Sequence, residues 1–205
     1  MEQLILKAAG QSSRRIIASS GVFQIELLKQ VGREDYPQLI EISKSLSLDY
    51  GKKAILTKTT IRKFFNKTGS LPFVARYRQE IIGFIIGVPL EEMGLEPWAR
   101  LDENFGKFNT LYTYAFIIQS QYQGNGYAKM LKRVFFSWAK KRAELQFVCG
   151  HVKLGVSSKF SGDVKILNRV DNWQGTGHVF EYYRRRLHPD HLALDKHNPP
   201  LSHKS

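Results

Sequence analysis

The chain has 205 residues, a single cysteine and a formal net charge of +13. That length suits one domain with a core able to stand alone, and 42% hydrophobic with 12% aromatic residues reads as globular rather than disordered. The lone Cys149 excludes an internal disulfide and a cysteine-rich zinc site and fits a reducing compartment, expected to be the cytoplasm; the longest apolar run, residues 81–90, falls well short of the roughly 20 needed to span a bilayer, and the first residues lack the basic start and long apolar stretch of a secretory signal.

The excess of lysine and arginine invites a nucleic-acid reading. The basic residues are scattered, however, with local runs at 52–53, 129–133, 140–142 and 184–186, and no nucleic-acid fold signature accompanies them. Solvation of the surface and attraction of an anionic ligand account for them equally well.

In chain order, residues 1–20 read as a loose, flexible arm, rich in small and polar side chains. Residues 22–29 alternate loosely and predict a strand. Asp35 is placed as a helix N-cap with Pro37 in the first turn, and Leu39, Ile42 and Leu46 share one helical face. A short helix is expected near residues 60–66. Residues 73–78 and 81–88 predict two strands around a tight turn at Gln79 and Glu80. The second is apolar on both faces and so belongs in mid-sheet, with Gly83 and Gly87 calling for a close neighbour or a bulge. Residues 89–110 read as a long loop, the one acidic stretch in a basic protein, carrying Glu91, Glu92, Glu96, Asp102 and Glu103. The aromatic and β-branched stretch 111–118 predicts the strongest strand. Tyr127, Met130, Leu131, Val134, Phe135 and Trp138 recur at the spacing of a buried helical face, with Lys129, Lys132, Arg133, Lys140, Lys141 and Arg142 opposite. A strand follows at 146–152, so 111–152 forms a strand–loop–helix–strand unit with a parallel crossover. The last third predicts a helix within 161–170, a turn at Trp173-Gln-Gly-Thr-Gly177, a strand at 179–187 and a tail at 188–205. The histidines of that tail have no regular ligand spacing, and no metal is expected.

The loop Gln121-Tyr-Gln-Gly-Asn-Gly-Tyr127 puts two glycines directly in front of the helix. A helix start leaves unpaired N–H groups with partial positive charge, and glycine lets a ligand approach the backbone, so the two together cradle an anion. A P-loop needs a lysine followed by Ser or Thr, and a dinucleotide fingerprint needs a third glycine; neither is present.

Gln123-Gly124-Asn125-Gly126-Tyr127-Ala128 resembles the acyl-CoA loop of the GNAT N-acyltransferases, Gln/Arg-x-x-Gly-x-Gly/Ala between a strand and a main helix. Ile118 and Tyr122 match its approach, and the order of elements over residues 22–187 agrees. The resemblance implies an α/β (α+β) fold, a mixed, twisted central sheet of about six to seven strands flanked by helices. It implies acetyl-CoA as acyl donor, held by the backbone of Gln123, Gly124, Asn125, Gly126, Tyr127 and Ala128 at the diphosphate and by Phe116, Ile117 and Ile118 along the pantetheine arm, where two strands splay apart. The Ile118 N–H is expected to polarise the thioester carbonyl. A neutral primary amine then attacks directly in a ternary complex, and the coenzyme leaves as a thiolate.

Many family members protonate that thiolate with a tyrosine on the helix after the fifth strand, within Asn-x-x-Ala-x-x-Tyr. Residues 155–172 contain no tyrosine. Tyr183 or Tyr182 of the final strand is the substitute, and Glu92 or Glu91 of the acidic loop the candidate base. Cys149 lies in an apolar strand and reads as packing rather than a nucleophile. The acidic loop suits a cationic acceptor such as a polyamine, an aminoglycoside or a lysine side chain. Two further readings stay open: an acetyltransferase of the same fold acting on RNA or aminoacyl-tRNA through the basic surface, and a non-catalytic acyl-CoA-binding regulatory domain. A homodimer is compatible with all three.

Overall fold

The computed structural model describes residues 10–188. Eight strands form one mixed sheet in the order β1-β2-β3-β4-β5-β6-β8-β7. They are β1 (Ser13–Ser20), β2 (Phe23–Gln30), β3 (Leu71–Tyr77), β4 (Glu80–Pro89), β5 (Thr110–Ile118), β6 (Phe147–Lys153), β7 (Val164–Val170) and β8 (Phe180–Arg186). Every neighbouring pair is antiparallel except β5 and β6, as the crossover through the long helix requires.

Helices α1 (Tyr36–Lys44), α2 (Leu46–Tyr50) and α3 (Lys58–Phe65) lie between β2 and β3, α4 (Pro97–Arg100) between β4 and β5, and α5 (Tyr127–Lys140) between β5 and β6. Two cores result. Leu39, Ile42, Leu46, Ile61, Phe64 and Phe65 pack with Phe84, Tyr112, Cys149 and Tyr182 on one side of the sheet. Leu131, Phe135 and Ala139 of α5 pack with Phe73, Leu111 and Val148 on the other. Both glycines of β4 have the close neighbours their sequence context called for. A Cβ at Gly83 would stand 2.4 Å from the Ile117 carbonyl oxygen, and one at Gly87 2.8 Å from the Phe135 ring.

Four expectations are corrected. Residues 13–20 are not a loose arm but the edge strand β1, laddered to β2 from Ser13↔Gln30 to Ser20↔Phe23. Residues 164–170 are the edge strand β7, not a helix; their side chains are almost all exposed, so no buried stripe favours a helix and pairing with β8 decides. These two strands raise the count from six or seven to eight. Residues 89–110 carry a short helical turn (Leu90–Met93) and α4 rather than being loop throughout. Asp35 stands at the N-cap position but makes no capping bond; its carboxylate accepts from Arg76 at 2.8 and 2.9 Å and from the Ser12 hydroxyl at 2.7 Å. The expectations for residues 1–9 and 189–205 lie outside the described residues.

Candidate active site

β5 and β6 pair only through Thr110↔Phe147, Leu111↔Val148 and Tyr112↔Cys149. From Thr113 onward β5 stays with β4, and from Gly150 onward β6 stays with β8, so the two part. Ile86 pairs with Ala115 and Gly87 with Thr113, which leaves Tyr114 as a bulge at the point of parting. The opening is a cleft of about 670 Å³. Residues 112–116 of β5 line one wall and Gly150, His151 and Val152 of β6 the other.

The loop between β5 and α5 is shaped by its own side chains. Gly124 and Gly126 adopt φ of 82° and 79°, and a Cβ at either would meet nothing within 4 Å, so their role is conformational and leaves open space in front of the backbone. Asn125 Nδ2 donates to the Tyr122 and Gln123 carbonyls at 3.3 and 3.2 Å, and Gln123 Nε2 to the Ile118 carbonyl at 3.1 Å. Gln123 and Asn125 therefore hold the loop with their side chains. Gly126 caps α5 without a side-chain bond, and the first turn carries no acidic residue, so the N–H groups of Tyr127 and Ala128 remain for an anion. The Tyr127 ring is stacked on Phe23 at 4.3 Å and serves the core.

Phe116 lines the cleft, with Lys132 Nζ 5.5 Å from its ring centroid. Ile117 and Ile118 pair with Phe84 and Gly83, and Ile118 is buried. Five residues separate Ile118 from Thr113, about 16 Å along a strand. The backbone at the point of parting is thus that of Thr113, Tyr114 and Ala115, which the motif alone does not single out.

Tyr183 of β8 pairs with Gly150 and is buried. A Cβ on Gly150 would lie 3.2 Å from Tyr183 Oη and 3.4 Å from Thr113 Cβ, so this phenol stands at the opening itself. The buried Thr113 hydroxyl stands beside it. Burial pushes the Tyr183 phenol up to about 12, and the neighbouring Thr113 hydroxyl and Arg185 offset part of the rise. Tyr182 points to the opposite side, where its hydroxyl donates to Asp102 at 2.7 Å.

The family model described as the acetyltransferase (GNAT) family matches residues 38–154, more than half of the chain. The chain belongs to the GNAT acetyltransferase family. Among solved structures it resembles the ribosomal-protein-S18-alanine N-acetyltransferase of Escherichia coli at 11% identity and a TM-score of 0.56, covering 80% of this chain and 94% of that one. Spermidine N-acetyltransferase of Vibrio cholerae, in complex with CoA and spermine, is similar at 11% identity and a TM-score of 0.56, over 82% and 97% of the two chains. A GNAT acetyltransferase of Streptococcus pneumoniae is similar at 14% identity and a TM-score of 0.58, over 80% and 98%. No curated protein matches the sequence. As a GNAT enzyme the chain transfers an acetyl group from acetyl-CoA to an amine.

The cleft of this GNAT domain is lined on the α5 side by Lys129, Lys132, Arg133, Lys159 and Arg185 with Phe116, Phe136 and Phe160, and on the other by Tyr50, Phe64, Trp98, Tyr112, Tyr114 and Trp173 with Lys53 and Lys63. His151 forms part of the second side, stacked at 3.8 Å on Trp173 and at 4.7 Å on Tyr182, with Nδ1 3.1 Å from the Tyr112 hydroxyl. Burial pulls its imidazole down to about 3, so it is neutral at working pH. Glu92 and Glu96 line this side; Glu92 is paired with Lys67 at 2.8 Å, and the Glu96 charge helps burial raise Tyr114. Glu91 is elsewhere: its Oε1 accepts the N–H groups of Gly106 and Phe108 at 3.0 and 2.9 Å, a loop-holding role. Cys149 is fully buried and burial pushes its thiol far up, as befits packing rather than a nucleophile. Sequence reasoning missed Thr113, His151, Trp98 and Trp173; their signal was only a polar or aromatic residue within or beside an apolar segment.

Proposed function

We propose that the chain acetylates a primary amine by direct attack within a ternary complex, with Tyr183 as general acid. The carrying observation is geometric: the Tyr183 phenol stands beside Thr113 at the parting of β5 and β6, its Oη 3.2 Å from where a Cβ on Gly150 would lie. The N–H groups of Tyr127 and Ala128, with the backbone of Gly124, Asn125 and Gly126, hold the diphosphate of acetyl-CoA. The free edge of β5 from Thr113 to Phe116 holds the pantetheine arm, and Ile117 and Ile118 support it from the β4 side. Backbone N–H at the Tyr114 bulge polarises the thioester carbonyl in place of Ile118.

The amine enters from the aromatic side. Glu96 receives its ammonium proton, with Glu92, engaged by Lys67, as the second carboxylate on that wall. The amine nitrogen bonds to the carbonyl carbon, the carbon–sulfur bond breaks, and Tyr183 Oη gives its proton to sulfur. The phenol stays protonated throughout the working range, and it gives up its proton only as negative charge develops on the departing sulfur. One cysteine and no disulfide support a reducing compartment, the cytoplasm, and no helix among the described residues is long and apolar enough to cross a membrane.

Calorimetric titration with acetyl-CoA, beside NADH and ATP, tests the donor half of the reading. Thiol release with a panel of amines tests the acceptor half. Selective binding followed by thiol release is expected; absence of acetyl-CoA binding by a folded protein would overturn the reading.

A further inference from the structure

Arg185 lines the cleft and, beyond its charge near Tyr183, has no part in the proposed acetyl transfer. Its neighbours on β8 are engaged: Arg184 pairs with Asp102 and Glu103, and Arg186 with Asp163. No carboxylate pairs with Arg185 among the described residues. Its guanidinium lies 4.6 Å from the Phe136 ring centroid and 5.4 Å from that of Phe160, its Nε is buried without a partner, and it lines the cleft. The two rings flank the half-buried fork, and no carboxylate among the described residues meets it.

Its position within the cleft indicates which part of a donor it faces. Phe136 is ten residues beyond Gly126, about 15 Å along α5 from the anion cradle, so Arg185 is too far from the helix start to serve the diphosphate held there. Arg185 pairs with Val148, which pairs with Leu111, so it stands at the closed end where β5 and β6 still touch. Tyr183, two residues away on the same face, is about 7 Å nearer the open end. A thioester whose sulfur meets Tyr183 directs its acyl chain toward the closed end and Arg185.

We propose that Arg185 recognises acyl donors ending in a carboxylate, of the succinyl type, so that the enzyme transfers a carboxyacyl group as well as acetyl. This rests on the coenzyme reading above. The chemistry is unchanged: the amine nitrogen bonds to the thioester carbonyl carbon, the carbon–sulfur bond breaks, sulfur takes a proton, and the distal carboxylate keeps its charge against the guanidinium fork. A chain with two methylenes between carbonyl and carboxylate bridges most of the gap from Tyr183 to Arg185.

The test is calorimetric binding of acetyl-CoA, succinyl-CoA and free CoA to the full chain, with the Arg185→Gln and Arg185→Lys variants beside it. The wild type should bind succinyl-CoA at least about tenfold more tightly than acetyl-CoA. Arg185→Gln should erase that difference with acetyl-CoA affinity held within about threefold, and Arg185→Lys, lacking the fork, should keep only part of it. Equal affinity of the wild type for the two thioesters would overturn the proposal, as would a parallel loss for all three ligands in Arg185→Gln, which would assign Arg185 to the coenzyme itself. The wild-type comparison decides even if a variant fails to fold. Binding of acetyl-CoA without the succinyl preference sinks this proposal alone; no binding of any coenzyme form sinks the coenzyme reading beneath it.

Discussion

Replacing Tyr183 by phenylalanine removes one oxygen at the parting of β5 and β6 and little else. The ring is 6% exposed and packs edge-on against Phe160 at 5.0 Å, a contact phenylalanine keeps. The lost hydroxyl has no other carboxylate or carbonyl to satisfy, so the fold should be unaffected. General acid catalysis is worth roughly 10²- to 10⁴-fold. Because a thiolate leaves without help better than an alkoxide, the lower half applies here. We expect kcat to fall about 100- to 1000-fold, or roughly 2.7–4 kcal/mol of barrier, with acetyl-CoA affinity unchanged. Thiol release under saturating amine gives kcat, and calorimetry gives the affinity. The pH profile adds a second reading: with the phenol at about 12, the wild type should show no loss of activity from its deprotonation until above about pH 11. A Tyr183→Phe enzyme retaining kcat within threefold would refute the role, and sulfur would then leave as the free thiolate.

Gly126→Glu should abolish acetyl-CoA binding, by at least about 100-fold, because it brings negative charge to the helix start; calorimetry checks this, with the fold verified by circular dichroism, since the left-handed φ of 79° alone costs only about 1 kcal/mol. His151 has a folded value of about 3 against 6.5 unfolded, so its contribution is complete above pH 6.5 and is lost as pH falls toward 3. At pH 5 this alone should remove about 2 kcal/mol of stability, and a His151→Phe variant should show a correspondingly shallower pH dependence in denaturant melts; parallel slopes would contradict it. Arg76→Met leaves the buried carboxylates of Glu26 and Asp35 without their shared cation, at 2.7 and 2.8 Å in the native protein, and should cost about 3–5 kcal/mol by chemical denaturation.

The unit from β5 through α5 to β6 was readable because each element there has a buried face, and burial imposes periodicity. Leu131, Phe135 and Ala139 sit against the sheet, and the sequence advertises that stripe. β1 and β7 escape the same reasoning because they are edge strands exposed on nearly every residue. Their positions follow from ladders to β2 and β8, and a ladder leaves no mark on side-chain pattern. The helix expected at 161–170 failed for this reason. The site was half legible. Gly124 and Gly126 announce a positive φ before a helix, but the parting of β5 from β6 depends on which three residue pairs remain laddered. That register, with the bulge at Tyr114, puts the point of parting at Thr113, Tyr114 and Ala115 rather than at Ile118.

Register also sends two adjacent tyrosines, Tyr182 and Tyr183, to different sides of the sheet. Successive strand residues face opposite sides. Tyr182 faces the side of Tyr112, Cys149 and His151, where Asp102 takes its hydroxyl and burial raises it beyond any use as an acid. Tyr183 faces the side of α5, where Lys132 and Arg133 line the cleft. An intact sheet would keep those two sides apart. In the proposed reaction the parting of β5 and β6 lets a donor held on the α5 side present its carbonyl to an amine arriving from the other. In the proposed reaction Tyr183 takes the place of the tyrosine missing from a helix after β6. β7 and β8 follow β6 directly, and the strand paired with Gly150 delivers a phenol to the opening from the neighbouring ladder position.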